Sequence, residues 1–224
     1  MTDGSAAVSA TGWGVRATAW ELAALSFRVP DATLAEALAS GELREAALEV
    51  AAVLGLGLPD GWADGFAPGS EGDPGALMHG LRAEHTHLFV GAPEPAVSPF
   101  EGVWAAGDDG VQPLLFVNPK SMAVERFCRA CGLGRPEGTN EPLDFVATEC
   151  ELLSYLAFLA GGAEAPEGAP APEDLPGGSP AAAYGDFLSD HARAWMPRFA
   201  EAGEAASRIP FYRSAARLLA ALVA

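Results

Sequence analysis

The chain is poor in several residue types that would narrow its function. It has one isoleucine, Ile209, one lysine, Lys120, and three cysteines, Cys128, Cys131 and Cys150. An odd, sparse cysteine count supplies no disulfide framework and suits a reducing compartment. No stretch of 18 apolar residues occurs, which excludes a spanning helix of ordinary length. The opening MTDGSAAVSATGWG carries no basic residue before Arg16 and no apolar core segment, so it does not read as a secretory signal, and the expected location is the cytoplasm. Positive charge is scarce as well. Thirteen Lys+Arg stand against 30 Asp+Glu, a net charge of −17, which argues against nucleic acid and anionic membrane as partners and favours a basic one.

What is present is helix-forming. Half of the 224 residues are apolar and 19% are charged, the profile of a folded globular chain long enough to bury its own core. Ala and Leu dominate, while the β-branched and aromatic residues that favour strands are thin. Residues 1–14 read as a loose tail ahead of one all-helical domain over 15–224. A first helix runs from Arg16 to Phe27 and is stopped by Pro30. Asp31 caps a second helix with Leu34 and Leu38, and Ser40 caps a third with Leu43, Ala47, Val50 and Leu54. Residues 55–75 read as a long loop. A helix follows from Gly75 to Val90, and then a stiff extended connector over 91–104 with Pro93, Pro95 and Pro99. Pro119 opens a helix carrying Met122, Phe127 and Cys131. Residues 132–142 form a break, before a periodic helix with Phe145, Thr148, Leu152, Leu156 and Leu159. Residues 161–180 hold five prolines and five glycines and read as a flexible loop that cannot pack. Two helices close the chain, one with Tyr184, Phe187, His191, Trp195 and Phe199, the other from Pro210 with Tyr212, Ala216, Leu219 and Val223. The expectation is an all-α bundle of nine or ten helices. Residues 111–117 are the best strand candidate, spoiled by Pro113.

Motifs for catalysis are weak. Cys128 and Cys131 form a C-x-x-C that falls late in a helix with no preceding strand, so it reads as two reduced helix cysteines rather than a redox or zinc pair. Glu84 and His87 form an E-x-x-H, the spacing used in carboxylate-bridged di-iron bundles, but no second E-x-x-H exists, since Leu152 follows Glu149 at that spacing. A helical metal-dependent enzyme using Glu84, His85 and His87 is the alternative reading. His191, one turn from Phe187 and from Trp195, reads as a hydrogen-bonded packing residue. There is no G-x-S-x-G nucleophile turn, Walker loop or dinucleotide glycine fingerprint. What remains is a binding constellation without a cofactor or metal: Leu88, Phe89 and Gly91 at a helix end, Pro99, Phe100 and Trp104 on a proline-stiffened segment, and Phe145 from a later helix, fringed by Glu101, Asp144 and Glu149. Such a surface suits an apolar peptide that also carries positive charge.

At these residues the chain resembles the TorD/DmsD/NarJ family of maturation chaperones for molybdenum-containing reductases. The first block is Glu84-His85-Thr86-His87-Leu88-Phe89-Val90-Gly91 with Pro99-Phe100-Glu101-Gly102-Val103-Trp104, against E-Y-x-R-L-F-x-G and P-P-Y-E-S-V-Y. The second is Pro142-Leu143-Asp144-Phe145-Val146 with Glu149 and Glu151, against P-D-H-L-x-x-E-L-E-F. The third is Phe187, His191, Trp195, Pro197 and Phe199 with Pro210-Phe211-Tyr212-Arg213. The order and separations fit over roughly 75–223. The chain departs from the pattern at His85, His87, Gly102 and Phe145, and Leu143 is inserted before the aspartate.

The resemblance implies an all-helical chaperone, monomeric or homodimeric, that catalyses no reaction. It would bind the twin-arginine leader and the catalytic subunit of a molybdoenzyme until the cofactor is inserted. On this reading Glu101, Asp144 and Glu149 would receive the arginine forks, and the apolar middle of the leader would lie on Leu88, Phe89, Phe100, Trp104 and Phe145.

Overall fold

A computed structural model of the chain describes residues 9–67, 74–110, 118–134 and 142–224. The strand candidate 111–117, residues 1–8 of the tail, 68–73 of the first loop and 135–141 of the central break lie outside the described residues. The described residues hold ten α-helices and no strand ladder, so the fold is all-α.

Helix α1 (Ala10–Phe27) begins where Ser9 accepts the Gly12 amide at 3.2 Å. Its start lies ahead of the expected Arg16, because Trp13 has a partner that local sequence does not show: its ring sits edge-on to Tyr184 at 5.2 Å. Asp31 Oδ1 accepts the Leu34 amide and opens α2 (Ala32–Ser40), which turns at left-handed Gly41 into α3 (Glu42–Leu54). Helix α4 (Pro74–His85) runs on into one wide π-type turn, Thr86–Val90. Three short-to-middle-length helices follow: α5 (Glu101–Asp108), α6 (Pro119–Ala130) and α7 (Val146–Ala160). The last segments are α8 (Pro180–Phe187), a second π-type turn (Leu188–Ala192), α9 (Arg193–Ala206) and α10 (Pro210–Val223).

The centre of the molecule is α1 lying along α7, the most extensive helix pair. Ala17, Ala23 and Ala24 of α1 and Ala147 and Ala157 of α7 are buried in one core, and side chains this short let helix axes approach closely. Ser154 Oγ donates to the Ala17 carbonyl at 2.9 Å, using a polar group that would otherwise be stranded. Helices α9 and α10 pack together, α10 also meets α1, and α8 packs on α7. An aromatic cluster of Phe27, Phe89, Phe199 and Tyr212 joins α1, the first π-type turn, α9 and α10, with ring centroids 5.3–6.0 Å apart.

Three expectations are corrected. The segment after α3 is not simply loop: Trp62, Ala63 and Phe66 are buried, and Phe66 packs edge-on against Phe211 of α10. Residues 161–180 do pack. Two short 3₁₀ turns, Pro172–Asp174 and Pro176–Gly178, flank Leu175, which is 3% exposed in the core. The rest of the stretch is partly or fully exposed. The stiff connector ends at Phe100, and Glu101–Trp104 are helical in α5, because the last of its prolines is Pro99 and a distant aspartate caps the helix that follows.

Gly65 shows how tightly the first of these segments is held. Its amide donates to Ser214 Oγ at 3.1 Å, and Ser214 Oγ donates in turn to the Trp62 carbonyl at 2.6 Å. A methyl group on Gly65 would run into the Pro210 carbonyl. Gly65→Ala is expected to destabilise the chain by about 1–3 kcal/mol through overpacking. Urea unfolding checks this, and an unchanged midpoint would mean that the turn is not anchored on α10.

Candidate functional site

Two backbone hydrogen bonds build the site. Val146 N–H donates to the Pro99 carbonyl at 2.9 Å, and Glu101 N–H donates to the Asp144 carbonyl at 3.0 Å. Together they make an isolated antiparallel bridge between Phe100 and Phe145. Residues directly opposite in such a pair project to the same face, and the two rings lie 5.6 Å apart. Asp144 completes the junction. Its Oδ2 accepts the Gly102 amide at 2.9 Å and the Ser121 hydroxyl at 2.6 Å, so α5 is capped from another segment and tied to α6. Asn118 Nδ2 donates to the Gly102 carbonyl at 3.0 Å. A side chain on Gly102 would collide with Ser121 Oγ. Glycine at 102 leaves the room that the Ser121 hydroxyl occupies beside Asp144.

In front of this junction lies an open groove of about 750 Å³. Phe89 forms part of its floor, with Pro99, Phe100, Leu143, Phe145 and Tyr155 among its walls. Val29 and Val90, each 62% exposed, stand at its rim. The charged rim residues are Arg28, Asp31 and Glu151. Arg28 Nη1 stands 3.6 Å from Glu151 Oε1, with both side chains about half exposed, a pair worth roughly 0–1 kcal/mol. His85 also reaches the groove, but it is buried. Its Nε2–H donates to the Phe27 carbonyl at 3.3 Å, and burial holds its pKa below the ordinary 6.5 against that bond. The floor is therefore uncharged at neutral pH.

Of the residues read from sequence, Phe89, Pro99, Phe100 and Phe145 come together in this groove. Leu88 is fully buried in the core. Gly91 ends the first π-type turn, its amide bonded to the Thr86 carbonyl at 2.8 Å. Trp104 lines a separate cavity of about 300 Å³ with Ser98, Val103 and Arg198, its Nε1 donating to the Ser98 carbonyl and its ring 5.5 Å from the Arg198 guanidinium.

The three carboxylates expected to meet arginine forks lie behind the groove, about 1% exposed each. His191 Nδ1–H donates to Glu101 Oε2 at 2.9 Å, and the imidazole stacks on Phe187 at 4.8 Å, which is the packing role expected of it. Trp195 Nε1 donates to Glu149 Oε2 at 3.0 Å. Burial first, and then the neighbouring Glu101 carboxylate, push Glu149 well above the ordinary carboxylate range, which favours its protonated form. These acids hold helices together and are screened from the groove by the chain itself.

Other candidates have structural partners. Glu84 accepts the Arg208 amide ahead of α10, and His87 is half-buried. Among the described residues no three His, Cys, Asp or Glu side chains gather where a metal ion could be held. Cys128 and Cys131 are buried free thiols, pushed up to about 12 and about 11, chiefly by burial, and so are poor thiolates. Sequence reasoning left out the groove residues Arg28, Val29, Val90, Leu133 and Tyr155. Val29 carried a faint signal, an apolar residue beside a helix end, and Val90 stands within the first family block; the others carried none.

This all-α scaffold with its groove is that of a chain belonging to the nitrate reductase delta subunit family, whose pattern matches residues 39–201. The resemblance drawn from three blocks is thereby established as membership. Among curated proteins the chain is similar to Chaperone protein TorD of Vibrio cholerae serotype O1 strain M66-2, 27% identical over 143 residues. It is also similar to the protein of the same name from the Classical Ogawa strain, at 26%. The match spans 64% of this chain and 59% of those relatives' length.

Glu149 gives a test of the buried acid cluster. An acid that stays protonated when folded ionises above about pH 4.5 when unfolded, so the unfolded chain then binds fewer protons and stability falls as pH rises. Glu149→Gln keeps an acceptor for Trp195 and removes this loss. Urea unfolding should find the variant at least as stable as the parent at pH 7.5, with its relative advantage shrinking toward pH 4. A large loss at pH 7.5 would show that Glu149 is needed as an anion.

Proposed function

We propose that this chain is a maturation chaperone of the cytoplasm that binds the arginine-bearing leader of a molybdenum-containing oxidoreductase. It holds that catalytic subunit until the cofactor is in place, before export or assembly, and catalyses no reaction. The observation that carries this reading is the single groove that unites Phe89, Phe100 and Phe145 from three separate segments. A leader with a basic end and an apolar middle matches both its walls and the charge of the chain. The net charge of −17 draws the basic end in from solution, mainly as an effect on association rate, since the screening length is about 8 Å at physiological salt. The name carried by the relatives at 26–27% identity points the same way.

Apolar contact carries most of the affinity. Phe100 and Phe145 are each partly buried, and covering what remains exposed contributes up to about 1.5 kcal/mol at roughly 25 cal/mol per Å². An exposed carboxylate at the rim contributes at most about 1 kcal/mol. Titration of a fluorescent twin-arginine peptide, followed by anisotropy, should give saturable binding. Phe100→Ala and Phe145→Ala should each weaken it about five- to tenfold, more than Glu151→Gln does. Circular dichroism confirms that the variants remain folded. No binding at tens of micromolar protein to any leader encoded beside this gene would sink the proposal. A stronger effect of Glu151→Gln than of either phenylalanine would overturn the dominance of apolar burial.

A further inference from the structure

We propose that Arg28 is a resident occupant of the groove's arginine site: it holds the Glu151 carboxylate that an incoming peptide guanidinium takes over. This rests on the reading that an arginine-bearing peptide enters the groove, and it identifies the carboxylate that receives it.

The other carboxylates near the groove are committed. Asp31 Oδ1 caps α2 by accepting the Leu34 amide. Glu101 is held by His191, Asp144 by Gly102 and Ser121, and Glu149 by Trp195, all buried. Glu151 differs. It stands on the exposed face of α7, lines the groove, and among the described residues its partner is Arg28. That contact is one N···O approach of 3.6 Å, too long for a good hydrogen bond, between side chains 45% and 49% exposed. A guanidinium can offer a carboxylate two parallel N–H···O bonds, and this pair does not make them. An incoming arginine free to align its fork makes a better partner than the resident one.

The backbone that carries Arg28 is fixed. Arg28 ends α1, its amide bonded to the Ala24 carbonyl at 3.0 Å. The rim beyond it is pinned, because Pro30 is buried and its carbonyl accepts Arg82 Nε at 2.8 Å. Arg28 therefore reaches Glu151 from a fixed anchor. In the empty groove it neutralises the carboxylate and competes with arginine-bearing ligands, while an apolar peptide without arginine leaves the pair untouched. The device favours ligands that can win the exchange.

The test uses the full chain and two labelled peptides, a twin-arginine leader and the same peptide with both arginines replaced by glutamine. Removing the competitor in Arg28→Gln should tighten the arginine peptide about twofold to fivefold, the range for one exposed ion pair, and leave the glutamine peptide unchanged. Arg28→Ala should act in the same direction. In the double variant with Glu151→Gln the gain should vanish, since the two residues act through one contact. Arg44→Gln controls for net charge, because Arg44 pairs with Asp64 outside the groove, and should change nothing. If the parent chain binds the arginine peptide but Arg28→Gln binds it no better, or gains equally for the glutamine peptide, the proposal fails while the function above stands. If no variant and no parent chain binds either peptide, the underlying reading fails with it.

Discussion

The pairing of residues 99–101 with 144–146 sets the geometry of this molecule's groove. It consists of two backbone hydrogen bonds and one aspartate, yet it determines where α5 and α7 begin and where two phenylalanine rings meet. Asp144 has a large effect because a helix N-terminus leaves its first amides without partners, and α5 draws its cap from outside its own sequence. Ser121 and Asn118 bring α6 to the same junction. Since Phe100 and Phe145 stand on the paired residues themselves, the groove wall follows the junction. Anything that separates the two strands of backbone separates the rings.

Behind that wall, acidic residues do structural work. Glu101, Asp144 and Glu149 lie close enough to raise the pKa of Glu149, and each is tied to a group from another part of the chain. An exposed carboxylate near a groove attracts cations. A buried one, bonded to His191 or Trp195, fixes helices at the expense of its own desolvation. The surplus of negative charge in this chain is therefore divided between an exterior field, set by the exposed acids, and a small interior set that serves packing.

The groove is mostly apolar, with an uncharged floor because burial keeps His85 neutral, and its charge is confined to the rim. This division suits a ligand with distinct basic and apolar parts. In the proposed function, long-range attraction would bring the basic part close and contact with Phe89, Phe100 and Phe145 would supply residence. The Arg28–Glu151 pair stands at the rim where the two regimes meet, a single long contact between half-exposed side chains.

Helix content and most helix positions were legible in the amino-acid order because they depend on local quantities: apolar spacing along α3 and α7, Asp31 as a cap, Pro119 and Pro210 at first turns. The three blocks that carry the family likeness were equally legible, and so was the pairing of Phe89 with Phe100 and Phe145 as one constellation. Long-range partners were not. Composition marked 55–75 and 161–180 as loops, but Trp62, Phe66 and Leu175 reach cores made by distant residues. It showed three acids beside an apolar segment without showing His191 or Trp195 behind them. It also gave no sign that the end of α1 stands beside α7 at the groove's rim, which brings Arg28 to Glu151. Propensity, capping and periodicity act within a few residues of the chain, and amino-acid order alone therefore determines them. Burial, the protonation of Glu149 and the choice of rim partners depend on which surfaces meet, and only the packed chain decides that.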